Sequence, residues 1–256
     1  MKLSRALFVL PTLFTLTSVF LGLLSLVSSA TGQFGLAALA ILFAALFDML
    51  DGKVARLTRT QSEFGIQIDS LADVVSFGVA PATLVYLALL KDKVLLGSVD
   101  VGLLVVFAFL AAGAIRLARY NVDANRKPAS VKQFTGLPIP MAAGFMAGLI
   151  FGLDKHLATL PTALIVVFMV LLTFLMVSTV KYRKKVNIRS ADSRFLLLML
   201  GILMVATAFV SPRMVCFSFF AYYVTAGLAE STLRKLLHSS TKARREESRK
   251  RKAGAP

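Results

Sequence analysis

Long apolar segments separated by short polar ones run through most of the chain. Several of the uncharged segments approach or exceed about eighteen residues, the length of helix that crosses a bilayer. The first is longer than the apolar core of a usual secretory signal, so a retained helix is favoured over a cleaved leader. The pattern predicts an all-α, polytopic transmembrane bundle of about eight spans, near residues 8–28, 36–51, 65–90, 101–120, 137–153, 160–180, 195–210 and 214–236.

Composition agrees with this pattern and leaves little room for a soluble domain. Hydrophobic residues make up 57% of the 256-residue chain, and the mean hydropathy is +0.77. Residues 1–238 are therefore expected to form one integral membrane domain. Residues 239–256 are polar and rich in basic side chains, a composition typical of a disordered tail.

The formal net charge of +16 is compatible with nucleic-acid binding, but its distribution favours a membrane. In an eight-span topology all but four of the 29 lysines and arginines fall on the same side of the bilayer. The exceptions are Lys91, Lys93, Lys155 and Arg213. Basic loops remain in the cytoplasm. The protein is therefore expected in the inner (cell) membrane, with both termini and the 53–64 loop on its cytoplasmic side. Anionic lipid, and no nucleic acid, is the expected partner of the basic surface.

Four aspartates stand at the ends of the second and third predicted spans. Asp48 and Asp51 are three residues apart, and Asp69 and Asp73 are four residues apart, so each pair projects from one side of its helix. A carboxylate at the bilayer centre costs roughly 2.5–3.5 kcal/mol, and four close together repel one another. Clustered carboxylate oxygens are the ligands that hard divalent cations select. The four are therefore predicted to bind metal.

Two other interpretations of the aspartates are solvated loop acids and the ion path of a transporter. Small residues argue against both. Gly52 follows Asp51 directly, Ala55 lies one turn further along, and Gly65 precedes Asp69 by one turn. Such positions leave space beside the metals for a flat, bulky ligand, which an ion path does not need.

The whole constellation resembles the CDP-alcohol phosphotransferase family, whose pattern is D-x2-D-G-x2-A-R-x8-G-x3-D-x3-D. It begins here at Asp48 and ends at Asp73. Three further segments resemble the phosphatidylserine synthase branch of that family: SLADVVSFGVAPA at 70–82, RLARYN at 116–121 and GLPIP at 136–140.

The resemblance implies transfer of a phosphatidyl group from CDP-diacylglycerol to L-serine, giving phosphatidylserine and CMP. It implies two divalent cations, Mg²⁺ or Mn²⁺, with Asp48 and Asp69 bridging both ions. Asp51 would complete the ligand set of one ion, and Asp73 would bind the other. Asp73 would also be the general base for the attacking hydroxyl. A family member that uses glycerol 3-phosphate or inositol phosphate is the nearest alternative, and an ion-coupled transporter is a more distant one. Family analogy also implies a homodimer.

The resemblance further assigns residues to the two substrates. Positions that contact or make room for the CDP-lipid are Thr15, Gly52, Ala55, Arg56, Ser62 and Gly65. For the acceptor, Arg116 and Arg119 share one helix face, and both substrate contact and interfacial anchoring remain open for them. The chain departs from the family in its first span, where Thr12 and Ser18 occupy positions that carry asparagine in many relatives.

Overall fold

A bundle of helices forms the protein. The computed structural model describes residues 2–58, 60, 62–93, 95–96, 98–126, 133–178, 181–183 and 191–227. These ranges carry the helices α1 Lys2–Ala30, α2 Phe34–Thr58, α3 Glu63–Leu90, α4 Val101–Arg126, α5 Ile139–Gly152, α6 Thr162–Val177, α7 Ala191–Val210 and α8 Met214–Gly227. A 3₁₀ turn, Asp154–Thr159, joins α5 to α6.

The bundle contains helices suited to a bilayer. Within the described ranges, four are long and apolar enough to cross it: Pro11–Ala30 of α1, Phe34–Thr58, Glu63–Leu90 and Val101–Asp123 of α4. Helices α5, α6 and α8 are shorter but also apolar. The prediction of a helical integral membrane protein is therefore confirmed. The full set of eight spans stays a prediction, and the 239–256 tail lies outside the described residues.

Helix α5 lies at the centre of the bundle. It is apolar on all faces, and ten of its residues, from Ile139 to Ile150, are buried, as expected for a helix surrounded by others. Its repeated glycines allow this packing. A Cβ on Gly148 would lie 2.9 Å from the backbone nitrogen of Phe217 on α8, and Phe220 packs over Gly144. The glycines spaced four residues apart, Gly144, Gly148 and Gly152, thus serve packing within the bundle.

Helix α3 changes its winding three times. It is α-helical to Asp73, π-helical over Val74–Val79, α-helical over Ala80–Val85 and π-helical over Tyr86–Leu90. Pro81 follows the first π-helical stretch and has no N–H to donate, so the local change in winding accommodates it. Helix α1 packs closely here, because the Ser76 hydroxyl donates to the Ser18 carbonyl at 2.9 Å.

Short strands depart from the all-helical prediction. Leu95–Leu96 (β1) pairs with Val99–Asp100 (β2) between α3 and α4. Gln133–Thr135 (β3) pairs antiparallel with Lys181–Arg183 (β4), and so joins the segment before α5 to the segment after α6. Strands of two or three residues carry too little periodicity for the sequence to reveal them.

Helix α2 continues past its aspartates, which corrects the predicted span boundary at residue 51. It ends at Thr58, and α3 begins at Glu63, so Lys53 and Arg56 are helical instead of lying in a loop. From Phe34 to Asp51 the helix rises about 26 Å, close to the roughly 30 Å apolar thickness of a bilayer. If Phe34 lies at one boundary of the apolar layer, Asp51 lies near the other.

Candidate active site

The ends of α2 and α3 bring the predicted metal ligands together. Asp48, Asp51 and Asp69 each offer a carboxylate oxygen, and these atoms all lie within 4.8 Å of one another. Two oxygens on opposite sides of a bound Mg²⁺ stand about 4.2 Å apart, because each bond measures about 2.1 Å. With small adjustments of the side chains, the three carboxylates can therefore reach one ion. Asp51 is buried, at 5% exposed, and the other two are half-buried.

Asp73 completes the four-aspartate cluster one turn along α3 from Asp69. Its carboxyl group lies close to that of Asp48. Among the described residues, its buried Oδ1 atom has no hydrogen-bond partner. Two carboxylates in contact repel unless a proton or a cation lies between them. A buried oxygen without a partner, beside three clustered carboxylates, fits a divalent cation, and all the donors are the hard oxygens that Mg²⁺ and Mn²⁺ prefer.

Thr15 supports this cluster from the first helix. Its hydroxyl donates to Asp51 Oδ2 at 2.8 Å, in a contact buried between α1 and α2. The sequence indicates Thr15 only as a position near the CDP-lipid and does not reveal this hydrogen bond. Its one local signal is a hydroxyl residue within an otherwise apolar helix. Side chains that hold a metal ligand in place affect metal affinity strongly, so Thr15 contributes to the cluster itself.

A cleft of about 680 Å³ opens beside the cluster. Its walls contain Asp51, Asp69 and Asp73. The walls also contain every residue that the sequence assigns to the CDP-lipid, namely Thr15, Gly52, Ala55, Arg56, Ser62 and Gly65. The structure thus gathers in one cavity side chains from α1, α2, α3 and the segment between α2 and α3. Their individual roles stay predictions.

Local contacts hold two pairs of these residues, Ser62 with Gly65 and Arg56 with Gly52. Ser62 is the N-cap of α3, and its hydroxyl accepts from the Gly65 N–H at 3.0 Å. Arg56 is exposed and lies over Gly52, where an added Cβ would stand 3.6 Å from the guanidinium nitrogens. The guanidinium group therefore lies along α2 in ordinary van der Waals range of the Gly52 position, at the wall of the cleft.

The two predicted acceptor residues have different surroundings. Arg116 is 6% exposed and lines the cleft. Arg119 does not line it, and its Nη1 donates to the Val177 carbonyl at the end of α6. Although the two arginines are three residues apart on α4, the structure brings only Arg116 to the four-aspartate cluster.

The two positions that depart from the family pattern, Thr12 and Ser18, have different surroundings. Thr12 lines the cleft, so a hydroxyl there is available to a ligand. Ser18 is buried, and its hydroxyl lies 3.4 Å from that of Ser76 on α3. Ser18 therefore contributes to the contact between α1 and α3, away from the cavity walls.

Comparison with known proteins identifies the family of the chain that forms this cleft. The profile of the CDP-alcohol phosphatidyltransferase family matches residues 8–229, which include all eight helices except the first turns of α1. The chain belongs to the CDP-alcohol phosphatidyltransferase family. The family membership expected from the resemblance is therefore confirmed.

Individual members of this family are similar over long stretches. A CDP-diacylglycerol–serine O-phosphatidyltransferase of Helicobacter pylori is 36% identical over 224 residues, which cover 87% of this chain and 90% of the relative. An archaetidylserine synthase of Methanothermobacter thermautotrophicus is 39% identical over 175 residues, or 68% of this chain and 69% of the relative. A CDP-diacylglycerol–serine O-phosphatidyltransferase of Methanocaldococcus jannaschii is 36% identical over 173 residues, or 68% and 73%.

Proposed function

We propose that the protein transfers a phosphatidyl group from CDP-diacylglycerol to L-serine, giving phosphatidylserine and CMP. The observation that carries this proposal is the four-aspartate cluster, three members of which line the cleft, in a chain of the CDP-alcohol phosphatidyltransferase family. Relatives that match most of the chain are named for transfer to serine. The relative named archaetidylserine synthase is likewise named for a serine-containing product.

Divalent cations would be held by Asp48, Asp51, Asp69 and Asp73, and we propose two ions of Mg²⁺ or Mn²⁺. When bound, such ions neutralise a pyrophosphate and stabilise charge on a departing phosphate. The clustering of three carboxylate oxygens within 4.8 Å and the unpartnered Oδ1 of Asp73 support this assignment.

The cleft residues then bind and orient the nucleotide lipid. The guanidinium group of Arg56 offers paired N–H donors that suit a phosphate. Gly52, Ala55 and Gly65 present little side chain to the cavity, which favours a flat ligand against the backbone. Ser62 holds the start of α3 through its N-cap contact, so it fixes the segment that carries Asp69.

Asp73 is the proposed general base. The serine hydroxyl would give its proton to the Asp73 carboxylate while its oxygen forms a bond to the lipid-side phosphorus. The bond from that phosphorus to the bridging oxygen would break, and CMP would leave. A carboxylate can accept this proton only when it lies within hydrogen-bond distance of the hydroxyl. The position of Asp73 on the cleft wall supports this role.

We further propose the membrane topology inferred from charge: about eight spans forming the domain 1–238, with the cleft and both termini in the cytoplasm of a cell whose inner membrane holds the protein. The 239–256 tail would rest on anionic lipid, and the protein would form a homodimer like its family.

The single cysteine, Cys216, makes the topology testable. In a Cys216→Ala background, a membrane-impermeant thiol reagent should label Lys93→Cys in intact cells and spare Lys53→Cys. The reverse labelling would invert the topology.

The enzymatic proposal is tested by CMP release from CDP-diacylglycerol with purified protein. We expect release only when L-serine and Mg²⁺ or Mn²⁺ are present, with phosphatidylserine as the lipid product. Glycerol 3-phosphate and inositol phosphate serve as matched acceptors. Equal release with either one would reject serine as the acceptor while leaving the family assignment intact. Ion flux across vesicles without nucleotide cleavage would instead support a transporter.

A further inference from the structure

Arg116 is the buried cation of the cleft. It lies on α4, is 6% exposed, and shares the cavity wall with Asp73. Within the part of the chain that the structure describes, its buried Nε has no hydrogen-bond partner. Buried polar groups of folded proteins are nearly always paired, and an unpaired N–H of a charged group is costly. The position therefore indicates a ligand that supplies an acceptor.

The surroundings of Arg116 define the charge of that ligand. Asp73 lines the same cleft and its carboxylate attracts the guanidinium group, yet in the proposed function this carboxylate also holds metal and receives the proton of the acceptor hydroxyl. A bound divalent cation would draw the Asp73 charge toward itself. Arg116 would then keep a buried positive charge and an unpaired donor on the wall of the cleft. An anionic group is the chemistry that satisfies both.

The nucleotide is not the best candidate for this anion. Arg56 already stands on the α2 side of the cleft, against Gly52, within the motif. Arg116 approaches from α4, beside the proposed base Asp73. The ligand near Asp73 is the one whose hydroxyl is attacking, and serine carries a carboxylate on the carbon next to that hydroxymethyl group.

We propose that Arg116 binds the carboxylate of the amino-acid acceptor and thereby selects serine over uncharged alcohols. The planar fork of a guanidinium matches a carboxylate through two parallel hydrogen bonds. With the carboxylate on Arg116, the serine hydroxyl lies on the side of Asp73. This inference rests on the proposed function, because it presumes that the acceptor is serine.

Comparison of two acceptors tests the inference. L-serinamide has the shape of L-serine but lacks the negative charge. In the wild-type protein, kcat/KM for L-serine should exceed that for L-serinamide by about 10- to 100-fold, the range of a hydrogen-bonded charge. Arg116→Gln should lower kcat/KM for L-serine by a similar factor. It should lower kcat/KM for L-serinamide much less, so the ratio between the two acceptors should fall toward one.

A matched control separates this role from simple charge balance. Lys53→Gln removes a cation that neighbours the motif on α2 but is exposed and does not line the cleft. It should leave the ratio of the two acceptors unchanged. Arg116→Lys keeps the charge without the fork, so it should lower kcat/KM for L-serine by less than Arg116→Gln and in the same direction. This variant also decides the question if Arg116→Gln does not accumulate in the membrane.

The outcomes distinguish failure of this inference from failure of the proposed function. No CMP release with L-serine by the wild-type protein would overturn the proposed function, and the inference with it. Normal turnover with L-serine, together with an equal fall for both acceptors in either Arg116 variant, would overturn the inference alone. Such a result would make Arg116 a counter-charge to Asp73. An unchanged ratio with unchanged rates would also overturn it.

Discussion

The hydrogen bond from Thr15 to Asp51 offers a sharp test of how the four-aspartate cluster is held. Thr15→Val keeps the branched shape of the side chain and removes the donor. The Asp51 Oδ2 atom, now 2.8 Å from the Thr15 hydroxyl, would lose a buried partner. We expect weaker metal binding, because the carboxylate is less firmly oriented. The measurement is initial rate against Mg²⁺ or Mn²⁺ concentration at saturating substrates.

The structure sets the size of the effect. A hydrogen bond to a charged group contributes about 1.5–3 kcal/mol, and the loss of a residue that orients a metal ligand costs about 10- to 100-fold in metal affinity. The Thr15 hydroxyl also lies 3.1 Å from the Pro11 carbonyl of its own helix, so its single proton is shared between two acceptors. The shift should therefore fall near the lower end, about tenfold in the metal concentration at half-maximal rate.

Two variants control this experiment. Thr15→Ser keeps the hydroxyl and should respond to metal like the wild-type protein. Thr17→Val removes a hydroxyl from the same helix whose partner among the described residues is the Leu13 carbonyl, at 2.8 Å, and should also leave the metal response unchanged. If Thr15→Val gives the wild-type curve, or if Thr17→Val shifts it equally, the proposed support of Asp51 is wrong.

Further predictions concern the other ligands and the central helix. Asp69→Asn should abolish turnover and weaken Mn²⁺ binding, and retained turnover would refute its role in metal binding. Asp73→Asn should reduce kcat far more than it reduces affinity for the CDP-lipid, measured by binding of CDP-diacylglycerol. An unchanged kcat would show that Asp73 is not the base. Gly148→Val should destabilise the bundle by about 1–3 kcal/mol, because an added Cβ meets the backbone of Phe217 at 2.9 Å. Gly201→Val, which has open space around it, should leave the thermal midpoint in detergent nearly unchanged.

Much of the candidate site follows from the sequence because its information is local. Helical spacing alone places Asp48 with Asp51, and Asp69 with Asp73, on single helix faces. The short connection between two apolar spans then brings the pairs to the same end of the bundle. The small residues at 52, 55 and 65 likewise follow from the motif, and all line the cleft.

Contacts between residues distant in the chain are what the sequence does not reveal. Thr15 and Asp51 are 36 residues apart, and nothing in either segment specifies their pairing. The pairing of Gln133–Thr135 with Lys181–Arg183 is similarly non-local. Arg116 and Arg119 share a predicted face, but the position of α6 decides that Arg119 contacts the Val177 carbonyl while Arg116 lines the cleft. Helix packing, which no local pattern specifies, separates these two roles.

Divalent cations bound by the four aspartates are the centre of the proposed function. Titration of metal-stripped protein with Mn²⁺, with free Mn²⁺ followed by electron paramagnetic resonance, measures this without any assumption about the acceptor. We predict saturable binding that approaches two ions per chain when the CDP-lipid is present, and its loss in Asp69→Asn. A wild-type protein that retains no more Mn²⁺ than Asp69→Asn would contradict the account.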